Sequence, residues 1–204
     1  MSRISKLFIQ GDELFDRSDF DGAIKIFEEA LSLDEESNED THTKEAILDN
    51  LNQARRLAHL VLLRRLLEKF PDSILLQKDH IRWYLGHYHP QRATELCDAL
   101  FAQLERGNST WRPYSLRISV ARKNGVVTHL VEDIVALWKS LNPTNSKGKR
   151  RFLQSTLAIS DVRLLPAFIE LSQHPEFSPN IQTLFRQKAE SLQLLQQIYE
   201  TELA

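Results

Sequence analysis

A single cysteine, Cys97, stands among 204 residues, so no intramolecular disulfide can form and the fold must be held by packing and hydrogen bonds. A lone thiol fits a reducing compartment. Glycine and proline are scarce, six and seven, and most lie between periodic segments, where breakers of helices belong. No apolar run approaches the 18 residues that a membrane-spanning helix needs. The start, Met1-Ser2-Arg3-Ile4-Ser5-Lys6, lacks the uninterrupted apolar stretch of a secretory leader. A cytoplasmic protein without membrane association is the expectation. Strand signals are missing too, because alternating runs such as Val126-Val127-Thr128 are short and lie inside helical patterns. Nucleophile elbows, phosphate-binding glycine loops and dinucleotide fingerprints are likewise absent.

What is present is ordinary globular material. Apolar residues make up 42% and charged residues 26%, which excludes disorder throughout and suffices for one buried domain or two small ones. The net charge of −2 conceals a strong polarity. Residues 1–50 hold 5 Lys/Arg against 14 Asp/Glu, and residues 51–204 hold 21 against 14. Such a split concerns surface fields and partners rather than fold, and it serves intramolecular attraction equally well.

Apolar spacing predicts helices along the whole chain. Ile4, Leu7, Phe8, Leu14 and Phe15 share one helical face with Gly11, where a missing side chain admits another backbone. Arg17-Ser18-Asp19 breaks the pattern, and Phe20, Ala23, Ile24, Phe27, Ala30 and Leu31 resume it, giving an antiparallel helix pair. Residues 34–40 are acidic without an apolar anchor, which predicts a solvated loop. From Thr43 to Lys69 a helical stripe runs without Gly or Pro, one long helix unless it bends near Asn50-Leu51-Asn52. Pro71 stops it, and Asp72 or Ser73 can cap the next helix. The next helix carries Leu75, Leu76, Ile81, Tyr84 and Leu85, and Gly86-His87-Tyr88-His89 is the expected turn. Pro90 opens a helix lined by Ala93, Leu96, Cys97, Leu100, Phe101 and Leu104. A third pair is expected from Trp111 to Lys123 and from Val126 to Leu141. The polar, basic stretch 142–151 reads as a linker. Helices near 150–159, 162–173 and 179–203 follow, the last with a long stripe suited to closing an open end.

The first pair resembles a tetratricopeptide repeat over about residues 4–37. Gly11 stands at the family's helix-A glycine, Leu14 at its aromatic, Phe20 near the turn aromatic, and Ala23, Phe27 and Ala30 at the small–aromatic–small positions of helix B. Leu7 replaces the usual Trp, and Glu35 stands where a closing Pro is expected. Residues 74–107 resemble a second, degenerate repeat in which Tyr84 and Ala93 match, Ile81 occupies the glycine position and Cys97 replaces the helix-B aromatic. The resemblance implies an all-α, antiparallel helix-pair solenoid of about nine or ten helices, with repeats over 1–141, a basic linker over 142–151 and closing helices over 152–204.

Each cluster of reactive residues has a plainer reading. Asp19-Phe20-Asp21-Gly22 imitates a calcium loop, but Arg17 stands at the first ligand position and a cation there repels the ion. His80, His87 and His89 gather near one helix end without the three or four converging ligands of a transition-metal site. Cys97 lies on an apolar helix face, as a small core residue does. Asp12-Glu13 and Glu132-Asp133 read as neighbours on exposed faces. No catalytic residue, metal ligand or cofactor-binding residue is expected.

The leading expectation is a scaffold that binds a peptide or partner helix on the concave surface lined by the first helix of each pair. Candidate contacts are Asp12, Asp16, Asp79 and Arg82. Tetratricopeptide repeats that clamp a terminal carboxylate use basic and Asn side chains, whereas the matching positions here are Phe8 and Asp12. A basic or apolar ligand fits better. A second expectation is an accessory domain of a larger bacterial glycosyl- or sulfotransferase, since the chain ends inside a helical pattern. A third is nucleic-acid binding by Lys147, Lys149, Arg150, Arg151, Arg55, Arg56, Arg64, Arg65, Arg82, Arg117, Arg122 and Lys123, with Trp83, Tyr88 and Trp111 as stacking surfaces. The pI near 6.4 and the acidic first quarter weigh against it.

Overall fold

The computed structural model describes residues 2–34, 41–141 and 146–202. Among them there is no strand. The helices are α1 (Arg3–Asp16), α2 (Phe20–Asp34), α3 (Thr41–Lys69), α4 (Ile74–Gly86), α5 (Pro90–Arg106), α6 (Tyr114–Asn124), α7 (Leu130–Ser140), α8 (Ser146–Leu157), α9 (Leu165–Leu171) and α10 (Pro179–Glu202), with a 3-10 turn, Val162–Leu164, before α9. The protein is thus all-α, with helices packed in sequence-adjacent pairs. The chain divides into two compact units, Met1–Leu76 and Gln77–Ala204. The division falls in the first turn of α4, where sequence reading places a continuous run of repeats to residue 141. The acidic segment 35–40 lies outside the described residues.

In the first unit α1 and α2 are antiparallel, as the ion pair from Arg3, at the start of α1, to Glu29, late in α2, requires (3.3 Å). Gly11 sets how closely they approach. A Cβ there would lie 2.7 Å from Cδ1 of Phe27, whose ring is fully buried. Ala23, Phe27 and Ala30 of α2 meet Ile4 of α1 and Ile47, Leu51 and Ala54 of α3 in one core. Phe15 and Phe20 close the turn edge-to-face at 5.4 Å. Asp19, in the apparent calcium loop, instead caps α2 by accepting from the Gly22 amide at 3.0 Å. The long helix α3 runs 29 residues without a break at 50–52.

The second unit begins with α4 and α5, joined at their far ends by the Gln77 Nε2–H donation to Gln103 Oε1 (2.8 Å). Here the size pattern of the first pair is reversed. Ile81 stands where Gly11 did and Cys97 where Phe27 did, at the same sequence separation, and both are buried. Asn124, at the end of α6, donates to the Pro90 carbonyl (2.7 Å) and to Thr94 Oγ1 in the first turn of α5. Farther on, Leu130 and Ile134 of α7, Phe168 and Leu171 of α9, Phe177, and Phe185 and Leu192 of α10 build a large core. Phe177 anchors it, 5.0 Å from Phe185 and 5.6 Å from Trp138, ring centre to ring centre. The basic run from 146 to 151, read as linker, is the first half of α8; Phe152 and Leu153 tie that helix to the core.

Among the described residues, four helices end the same way. Ser18, Tyr88, Asn108 and Gly125 adopt positive φ (62°, 61°, 49° and 65°). The amide of the next residue then reaches back to a carbonyl in the last turn: Asp19 to Leu14, His89 to Tyr84, Ser109 to Leu104 and Val126 to Ala121. This is the closure that satisfies orphaned helix carbonyls, and glycine fills the left-handed position without strain. With few glycines in the chain, three of the four positions carry other residues. Gly125 and a second left-handed residue, His129 (φ 61°), also delay α7 to Leu130 rather than the expected Val126. Pro113 similarly starts α6 at Tyr114 rather than Trp111.

Candidate functional site

On α1 the spacing of Ile9, Asp12 and Asp16 forms a stripe beside the face that packs on α2. Asp12 is half-buried because its Oδ1 accepts from Asn50 Nδ2 of α3 at 2.7 Å. That bond sets α1 and α3 side by side along this stripe. Asp16 and Ile9 are exposed, as is Gln53, one turn beyond Asn50. The surface is therefore acidic and amide-bearing with one apolar contact. Asn50 and Gln53 escape sequence reading because nothing along the chain links them to α1.

Asp79 and Arg82 lie in the second unit and bond one another within α4, Arg82 Nη1 to Asp79 Oδ1 at 3.0 Å. They form a neutral, exposed pair. Asp12 and Asp16 share one helix face, while Asp79 and Arg82 share one ion pair.

The histidines do not converge. His87 stacks on Trp83 (4.2 Å between centres), and its Nδ1–H donates to the Trp83 carbonyl at 2.6 Å. His80 leans on Tyr84, and His89 meets the same ring edge-on. Among the described residues no group of three or more His, Cys, Asp or Glu side chains is placed to share a metal ion. Cys97 is fully buried, and burial pushes its thiol up to about 12, so almost no thiolate exists near neutrality.

Several polar residues are placed differently from the sequence expectation. Asp133, read as exposed, is 1% exposed. Arg117, counted among the cations for nucleic-acid binding, donates to it twice, Nε to Oδ2 at 2.7 Å and Nη2 to Oδ1 at 2.6 Å. The Arg117 guanidinium also lies 3.7 Å above the Phe101 ring centre. Burial pushes the Asp133 carboxyl up, and the hydrogen bonds and charge of Arg117 pull it back only in part. For Arg117 burial opposes the charge, and the bonds and field of Asp133 more than offset it. Both groups are shifted upward, which favours the charge on Arg117 and opposes that on Asp133, and the two-point geometry is that of an ionised pair. Trp83, considered as a stacking surface, is 8% exposed and cannot serve, whereas Tyr88 is 87% exposed and Trp111 47%. Arg55 bonds Glu28 at 2.7 Å across α2 and α3.

No single helix among the described residues is long and apolar enough to cross a membrane. Compared with family models, curated proteins and solved structures, the chain matches none.

Proposed function

We propose that the chain is a tetratricopeptide-like interaction module whose first unit binds a basic or apolar peptide along the α1–α3 surface. The Asp12–Asn50 bond carries this reading. It aligns two helices so that their neighbouring faces, rather than their cores, form one continuous strip. Ile9 offers an apolar contact, Asp16 a charge, and Gln53 an amide that can hold peptide backbone. The Gly11–Phe27 approach supports the repeat resemblance, because it explains why glycine stands at that helix-A position. Asp79 and Arg82 add polar but electrically neutral surface elsewhere. No cofactor enters this function, and the lone buried Cys97 suits a reducing, cytoplasmic setting.

The test uses the full chain as bait, with Asp16→Lys and Gln53→Lys introduced together. Asp12 is left intact because it also ties α1 to α3. Loss of the partners retained by the wild-type chain is the expected outcome. An unchanged set of partners in unchanged amounts sinks the α1–α3 surface.

A further inference from the structure

A second surface, distinct from the proposed peptide strip, lies wholly within the second unit. Tyr88, Arg92, Lys123 and Arg163 line a depression of about 780 Å³. Lys123 also borders a neighbouring depression of about 370 Å³, together with Arg122 and Ser160. The two depressions meet at Lys123 and together form a cationic track along the α4–α5 turn, the end of α6 and the 3-10 turn before α9.

The charges on this track are unbalanced. Arg92 bonds Glu95, and Arg163 bonds Asp161 through Nη2 at 2.7 Å and Nε at 3.0 Å. Neither Arg122 nor Lys123 has a carboxylate partner among the described residues. Arg163 is fixed rather than waving: Asp161 grips its guanidinium and its stem crosses Gly125, where a Cβ would lie 2.8 Å from Cδ. The Arg163 bonds hold the Asp161 carboxyl below its ordinary value, so the grip persists at neutral pH.

Tyr88 is the feature that packing does not explain. The turn demands a left-handed residue at this position, as it does at Ser18 in the first helix pair. A bulky aromatic is poorly suited to that conformation. Its ring is almost wholly exposed and returns little burial, yet Lys123 Nζ sits 5.8 Å from the ring centre. The helix closure accounts for the left-handed backbone, but not for an exposed aromatic side chain at that position on the rim of a cationic depression. An open aromatic face beside unpaired and pre-positioned cations suits a chain of phosphates that carries stackable rings.

The geometry points to single-stranded nucleic acid as the ligand, with a base stacked on Tyr88 and the backbone phosphates met by Lys123, Arg122 and Arg163. Several cations distributed over two depressions, with an exposed aromatic beside them, favour an oligonucleotide over a single phosphorylated side chain.

The test is fluorescence anisotropy of a labelled oligothymidylate of about 15 nucleotides against the full chain at several salt concentrations. Salt-sensitive binding is expected. Tyr88→Gly should weaken it about ten-fold while raising the melting temperature, which separates lost stacking from lost folding. Tyr88→Phe should bind like wild type. Lys123→Glu should weaken binding and flatten its salt dependence. Absence of binding at low salt overturns the proposal, as does Tyr88→Gly binding equally well. Equal affinity for polyglutamate also overturns it, by revealing only an indiscriminate attraction to polyanions. None of these variants touches the α1–α3 strip, so either surface can fail without the other.

Discussion

Gly11 and Gly86 both sit in helices, and their surroundings demand opposite outcomes from the same substitution. Alanine is the better helix former by about 1 kcal/mol. At position 86 nothing lies within 4 Å of an added Cβ, so Gly86→Ala should stabilise the protein by some tenths to about 1 kcal/mol. At position 11 the methyl would collide with the buried Phe27 ring, and overpacking of this kind costs about 1–3 kcal/mol, more than the helix gains. Gly11→Ala should therefore destabilise, and urea unfolding of the two variants checks the opposite signs. The importance of Gly11 was legible in the sequence, because its spacing to Phe27 follows a repeat pattern. The left-handed conformations of Ser18, Tyr88 and Asn108 were not. The usual mark of such a turn is glycine, and although Asn108 is of a type that tolerates the conformation, Ser18 and Tyr88 carry no such mark.

Between elements, the polar tie from α6 to α7 gives the sharpest test. Arg117→Met leaves Asp133 buried without its two donors, a change that costs about 3–5 kcal/mol when the carboxylate is charged. Burial already raises the Asp133 carboxyl above its unfolded value, and loss of Arg117 raises it further. Between those two values the folded state holds more protons than the unfolded state, so stability falls as pH rises. Urea unfolding of Arg117→Met should accordingly show a deficit that is large at pH 7 and shrinks on acidification toward the unfolded carboxyl value. The double variant Arg117→Met/Asp133→Leu should recover most of the loss at pH 7, because no lone charge remains buried. A deficit that is the same at both pH values would assign the cost to lost packing over Phe101 instead. This pair could not be read from the chain, since helical periodicity assigns faces but not which polar residue faces a neighbouring helix. The same limit hid the first half of α8. Lys147, Lys149, Arg150 and Arg151 carry no apolar period, and the residues that anchor that helix, Phe152, Leu153 and Leu157, all lie in its second half.

At the scale of the whole molecule, apolar spacing was enough to read an all-helical chain, because a 3.6-residue stripe is a dense signal repeated at every turn. The boundary between compact units at Leu76 was not readable, since a continuous helix, α4, carries the chain across it. The charge distribution was fully readable, and it makes a prediction of its own. A net charge of −2 spread evenly would bind a cation exchanger poorly at pH 7. With the acidic excess confined to residues 1–50 and the basic excess to residues 51–204, each patch should engage its own resin at low ionic strength, where screening extends over about 30 Å. Retention on both anion and cation exchangers at about 10 mM salt is expected, with Asp16→Lys/Gln53→Lys eluting earlier from the first and Lys123→Glu earlier from the second. Passage straight through both columns would mean that the acidic and basic parts neutralise one another instead of facing solvent, and would remove the electrostatic basis of both proposed surfaces.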